Sequence, residues 1–397
     1  MRDRPRTPRF TGPVWKIGSA VAAVLVALLA AEGAARLVLP PPQVVEVEAP
    51  ESRTAAPGEV EDREQDRGID VLLDWSGHRG VRLNPNVRAT IHDHSLSQQD
   101  VVIETNSLGL RHPELGPKAA GTDRVLVLGD SITFCDYVAF EDSYTARLAE
   151  DLERDGRSVE VINAGLPGAS TVDELSHYLE LRDAVQPDTV LLAMYLNDAQ
   201  NSGRFYARSL PRALTWSRLL SWAFTRVETL RVAAMRDVVP DDIDPGWAEA
   251  FRAGRDLRSG DMWHDRDAFD FEIYNARDDF GIAWTPDSWA ALEPIVATLA
   301  AETARRGERL GVMLFPVHIQ VKGEVEDDTP QRAFAAMCDR LDLVCLDLRP
   351  ALREDWRRRR EELYYDHCHL RPEGNRVVAE AVAAWMEDRG LVSRPGD

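Results

Sequence analysis

The stretch Val125–Val138, "VLVLGDSITFCDYV", decides how the rest of the chain is read. Val125 to Leu128 are all apolar, with no polar alternation, so they read as a strand buried on both faces. The run stops at Gly129-Asp130-Ser131, which leaves a carboxylate and a hydroxyl side by side where a buried strand ends. A polar cap at a strand-to-helix turn accounts for such a pair. A nucleophile accounts for it too.

Working outward from Arg124, the pattern is regular. "VLVLG", "SVEVIN", "TVLLAM", "LGVMLF" and "LVCLDL" read as strands. Between them stand amphipathic helices. "EDSYTARLAEDLERDG" is capped by Asp142 or Ser143 and closed by Gly156, and "STVDELSHYLELRDAV" stops before Pro187. "PDSWAALEPIVATLAAETARRG" and "PQRAFAAMCDRLD" follow, and a last helix runs from about Pro372 to Arg389. Apolar strands alternating with amphipathic helices predict an α/β fold. The expected form is a flavodoxin-like three-layer α/β/α sandwich with a five-stranded parallel sheet.

In such open sheets ligands bind beyond the carboxyl ends of the strands. Ser131 lies there, at the start of a helical segment whose free N–H groups favour developing negative charge. The second strand ends in "VINAGLPG", with Gly165 and Gly168 after Asn163, and the third in "MYLNDAQ", with Asn197 and Asp198. A strand order of 2-1-3-4-5 would set both ends beside Ser131. The Gly165 N–H and the Asn197 amide would then point at one spot, as an oxyanion hole requires, and one such donor is worth about 2.7–4 kcal/mol. The missing base is sought in "YYDHCHLRPEGNRVVAEAV" near the C-terminus. His369 would take the proton of Ser131 while Asp366 holds the imidazole tautomer. His367 is the nearby competitor. Asp366, His367, Cys368 and His369 are poor metal ligands as a set, because adjacent residues do not easily face one ion. No metal is expected.

"GDSIT", "NAGLPG", the Asn of "YLND" and "DHCHL" resemble, in order, the four sequence blocks of the SGNH/GDSL hydrolases. The resemblance covers residues 124 to 388, less an interval after Asp198. It implies Ser131 as nucleophile and Asp366 with His369 completing a triad. It also implies an oxyanion hole of Gly165, Asn197 and the Ser131 N–H, and no organic cofactor. "VVIETNSLGLRHPE", ahead of the first block, is similar to members with an N-terminal anchor. Cys135 departs from the pattern, since many relatives carry glycine there.

The flanks carry further expectations. Arg2, Arg4, Arg6, Arg9 and Lys16 make a basic start, and an apolar run follows from Ile17, interrupted by Glu32 and Arg36 before it ends at Leu39. A spanning helix needs about 20 apolar residues, and the basic flank stays cytoplasmic. Residues 1–16 are thus expected as a cytoplasmic tail and 17–39 as a transmembrane signal anchor, with the catalytic domain extracytoplasmic. The alternative is a signal peptide cut near Ala30-Ala31. Residues 40–70 are Pro-rich and acidic and read as a linker. Residues 71–120 read as a small β-rich preface with His92 and His94 exposed, and 121–397 as the hydrolase domain.

Four cysteines suit an oxidising compartment. Cys338 and Cys345 are placed to approach each other, and a Cys135–Cys368 bridge would brace the Ser and His loops. An insertion at 201–284 holds five tryptophans and a helical stretch, "ALTWSRLLSWAFTRVETLRVAAM". It reads as a cap over the pocket, as packing over the sheet, or as a membrane-surface helix. The formal net charge of −20 excludes a nucleic-acid partner, which needs a basic face. The expected activity is a serine esterase acting on carboxylic esters, O-acyl or O-acetyl, with an acylated glycan as one candidate substrate. The alternatives are an O-acyltransferase acting on an extracytoplasmic polysaccharide and a non-catalytic glycan-binding scaffold.

Overall fold

The computed structural model describes residues 13–39, 45–47, 72–74, 82–154, 156–198, 214, 216–224, 226–227, 263–277 and 279–393. Most of the linker expected at 40–70 and most of the insertion expected at 201–284 lie outside these residues, but residues 45–47 of the expected linker form a strand that pairs with the preface instead.

A long helix, α1 (Pro13–Val38), comes first. Short antiparallel strands follow. β1 (Val45–Val47), β4 (Arg88–Ile91) and β5 (Val101–Glu104) form one sheet, and β2 (Leu73–Asp74) pairs with β3 (Arg82–Leu83). The main domain opens with β6 (Asp123–Gly129), α2 (Ser131–Phe134), α3 (Tyr144–Arg154), β7 (Val159–Gly165), α4 (Thr171–Val185) and β8 (Thr189–Tyr195). It continues through α5 (Arg266–Asn275), α6 (Pro286–Arg306), β9 (Arg309–Phe315), α7 (His318–Lys322) and α8 (Thr329–Leu341). β10 (Val344–Asp347), α9 (Arg349–Arg359) and α10 (Pro372–Asp388) complete it.

β6 to β10 form one five-stranded sheet in the order β10-β9-β8-β6-β7, every neighbouring pair parallel. Counted from β6 as the first strand, this is the 2-1-3-4-5 order of the flavodoxin-like fold. Every residue of β6 and β8 is buried, which is why both read as unbroken apolar runs rather than alternating ones. α4 starts at a capping box in which Ser170 and Asp173 bond reciprocally, and Pro187 follows its end. The order places the carboxyl ends of β7, β6 and β8 side by side.

The N-terminal strands are joined to this frame by packing. Leu73, Leu83, Ile91 and Ile103 share a core with Phe134 of α2 and with Leu166 and Ala169 of the loop after β7. His94, expected to be exposed, is buried instead, with its ring near Tyr137 and its Nε2 3.8 Å from Asp136. Cys338 and Cys345 are disulfide-bonded. Cys135 and Cys368 are buried free thiols, so the bridge considered between them is not formed. Each sulfur instead faces a polar neighbour, Asn375 Oδ1 at 3.7 Å and His369 Nδ1 at 3.6 Å. Within α1, Ala20–Val38 is long and apolar enough to cross a membrane by length and composition.

Candidate active site

Ser131 is the first residue of α2, directly beyond the end of β6. Asp130 caps that turn, its Oδ1 accepting from the Ile132 N–H at 2.8 Å. The cap and the nucleophile reading are thus compatible, since the carboxylate turns back to the backbone and leaves the hydroxyl forward. Ser131 Oγ lies 3.0 Å from His369 Nε2, and His369 Nδ1 lies 2.7 Å from Asp366 Oδ2. Asp366 Oδ1 also accepts from the N–H groups of Cys368 and His369, which fixes the loop around the ring. The Tyr137 ring packs edge-on against His369 at 4.9 Å between centroids.

The electrostatics follow from burial and pairing. Burial alone would raise the Asp366 carboxyl, but the hydrogen bonds and charge of His369 outweigh it and hold the group well below the usual carboxylate range. Burial would lower His369, and again the Asp366 bond and charge win, so the imidazole is more basic than usual. His367 turns away from Ser131. Its Nε2 is 3.3 Å from Asp279 Oδ2, and its ring stacks near Phe280. Asp366, Cys368 and His369 bring three ligand-type atoms within 4.8 Å of one another. The Asp366–His369 hydrogen bond accounts for two of them, and burial holds Cys368 as a thiol, well above its ordinary value.

Gly165 needs correction as an oxyanion donor. Its N–H is spent on Asn163 Oδ1 at 2.9 Å, inside its own strand end. The next N–H, of Leu166, goes to the Gly129 carbonyl at 2.9 Å, and Pro167 has none. What Gly165 supplies is room, because a Cβ there would stand 2.2 Å from the Phe134 nitrogen and 2.6 Å from the Thr133 carbonyl carbon. Gly168, at φ 71°, and Ser131 make no backbone N–H bond among the described residues. Asn197 stands just past the end of β8, and its Nδ2 donates to Asp279 Oδ1 at 3.1 Å, so an insertion residue reaches the amide.

Three supporting residues escaped the sequence reading. Asn163 is fully buried and donates to the Thr133 carbonyl at 2.7 Å and to Thr145 Oγ1 at 3.1 Å, tying the end of β7 to α2. Arg111 is buried and donates to the carbonyls of Phe134, Cys135 and Val138 at 2.9, 2.5 and 2.8 Å. It wraps the turn in which Cys135 adopts φ 65°, the left-handed conformation that suits glycine. That conformation explains the expected glycine there. Asp279 is the third. Behind the turn, burial raises the carboxyls of Asp130, Glu174 and Asp198, helped by the charge of Asp279 on Asp130 and by that of Asp130 on the other two.

Ser131, His369 and Asp366 thus stand in hydrogen-bond sequence beyond the strand ends of a flavodoxin-like sheet. Comparison with known proteins supplies the family. The model of the GDSL-like lipase/acylhydrolase family matches residues 127–377, more than half of the chain, and the chain belongs to that family. A curated arylesterase from Vibrio mimicus is 32% identical over 84 residues, which is 21% of this chain and 42% of the relative. The match thus spans less than half of that relative's length. Among solved structures, an α/β-hydrolase enzyme from the metagenome of Lake Arreo aligns with TM-score 0.38 and 15% identity over 70% of this chain and 99% of its own. A catalytic mutant of the acetylxylan esterase Axe2 from Geobacillus stearothermophilus aligns with TM-score 0.38 and 15% identity over 68% of this chain and 97% of its own.

Proposed function

We propose that the chain is a serine esterase that hydrolyses carboxylic esters, O-acyl or O-acetyl esters among them, through an acyl-enzyme on Ser131. The observation that carries this reading is the unbroken run from Ser131 Oγ to His369 at 3.0 Å and on to Asp366 at 2.7 Å. His369 takes the Ser131 proton as Oγ attacks the ester carbonyl, and Asp366 stabilises the imidazolium that forms. The tetrahedral oxyanion is met by the N–H groups of Ser131 and Gly168 and by the second N–H of the Asn197 amide. Gly168 takes the part first given to Gly165. As the carbonyl re-forms, His369 returns its proton to the leaving alkoxide. Water, deprotonated by the same histidine, then releases the acid.

The domain is held at a membrane by α1 and faces the extracytoplasmic side. The basic residues ahead of α1 and the disulfide Cys338–Cys345 support this placement. Hydrolysis of p-nitrophenyl acetate and butyrate by the full chain, beside Ser131→Ala, tests the activity. The wild type should turn over and the variant should lose at least about 10³-fold in rate. A folded wild type without turnover would overturn the reading. Product analysis with an acceptor polysaccharide present then separates hydrolysis from acyl transfer.

A further inference from the structure

Glu32 and Arg36 interrupt the apolar run of α1, and charged residues near a membrane need partners. Glu32 accepts from Ser217 Oγ at 2.6 Å and from the N–H groups of Arg218 and Leu219 at 3.0 and 3.1 Å. It thereby caps the helical stretch 218–224 from another part of the chain. Arg36 holds Glu32 at 2.7 Å and donates to the Trp216 carbonyl at 2.7 Å. In return, Arg218 donates to the carbonyls of Arg36 and Leu39, at 2.8 and 2.7 Å, where α1 runs out of its own donors. Each helix caps the other, and Ala35, Ser217 and Ser221 are buried.

The clamped segment carries an apolar stripe to the outside. Trp216, Leu220 and Val227 are 67%, 41% and 62% exposed. Trp216 lies in the turn that leads into the helical stretch 218–224, Leu220 within it and Val227 just beyond it, and the spacings of four and seven residues are those of one helical face. Trp222 is exposed as well, on a different face. Bulky apolar residues gathered this way mark a covered surface rather than a wet one. The occupant follows from continuity. Val24, Leu28, Leu37 and Val38 of α1 are themselves more than half exposed, and the clamp seats the stripe beside the last turns of the apolar span Ala20–Val38. A bilayer that covers the span continues onto the stripe, at the level where tryptophan favours the membrane–water interface.

We propose that residues 216–224 and 226–227 belong to a membrane dock, locked to the anchor helix by Glu32 and Arg36 and seated in the outer interface of the bilayer through Trp216, Leu220 and Val227. This rests on the anchor reading above. It also accounts for the two charges that break the apolar run.

The test uses tryptophan emission of the full chain in phosphatidylcholine vesicles, with and without lipid brominated at carbons 6 and 7 of one acyl chain. Trp15→Phe reports on α1 and Trp216→Phe on the dock, with p-nitrophenyl acetate hydrolysis unchanged as the check of folding. Both variants should lose part of the bromolipid quenching, and in a Glu32→Gln background the loss on Trp216→Phe should shrink. Quenching that falls with Trp15→Phe but not with Trp216→Phe would overturn the dock and leave the anchor standing. Quenching that falls with neither would remove the anchor and the dock together. A Trp216 shielded from both aqueous acrylamide and bromolipid would mean that a second copy of the chain covers the stripe, which also overturns the proposal.

Discussion

Arg111→Lys is expected to damage the active site from a distance. The guanidinium is 1% exposed and bridges three carbonyls of the turn after the nucleophile, those of Phe134, Cys135 and Val138. A lysine brings one ammonium on a flexible stem and cannot straddle acceptors spread over that span. One or two carbonyls are then left buried and unpaired, at about 1–3 kcal/mol each. Arg111→Ala leaves all three and costs more, a large share of the roughly 5–15 kcal/mol that holds a domain folded. The lysine variant is therefore the informative one. Each kcal/mol lowers the melting temperature of a domain of this size by about 2–4 °C. Cys135 closes the turn that Ser131 opens, its N–H donating to the Ser131 carbonyl at 2.8 Å, so the loss also moves the nucleophile. Misplacement by about 1 Å costs about a hundredfold in rate. Thermal melts and kcat toward p-nitrophenyl acetate, measured on the same preparation, read both effects. A variant that melts within about 1 °C of wild type and keeps its kcat would refute the reasoning.

Gly165→Ala should lower both stability and kcat, since its Cβ meets backbone at 2.2 Å, while Gly165 contributes no free N–H. Melting and kinetics together check it, and a stable variant that loses only kcat would restore Gly165 as a donor. The acid limb of kcat/KM should have its midpoint above 6.5, because Asp366 raises His369 above that value and only the neutral imidazole accepts the Ser131 proton. Asp366→Asn should move the midpoint down as it lowers kcat, and a pH–rate profile reads both. Asp279→Ala frees an Asn197 N–H and the partner of His367, so KM and kcat should change without loss of stability, as steady-state kinetics and a melt would show. Alkylation of the unfolded, unreduced chain should modify Cys135 and Cys368 only, by peptide mass analysis.

The sheet was readable because its central strands β6 and β8 are buried on both faces and its helices carry their own stops, Gly156, Pro187 and Gly307 among them. Ser131 was readable because it stands where an apolar strand stops, and Asp366 and His369 because they stand three residues apart in the loop before the last helix, in a block that resembles the family's fourth. The donors were harder. Gly165 ends the second strand and Gly168 follows it closely, and only the path of the Asn163 side chain shows that the first N–H is consumed. Arg111 and Asp279 were invisible for a different reason. Their targets lie 23 to 27 and 82 residues away in sequence, and no local spacing encodes such a contact. Cys135 illustrates the middle case. The sequence marks it as unusual, and the φ of 65° supplies the cause.

The most direct test of the central claim is fluorophosphonate labelling of the full chain, followed by peptide mass mapping. The account predicts one stoichiometric adduct on Ser131, strongly reduced in His369→Ala and abolished in Ser131→Ala. A folded protein that takes no label, or takes it on another serine, would contradict the assignment of Ser131 as the nucleophile.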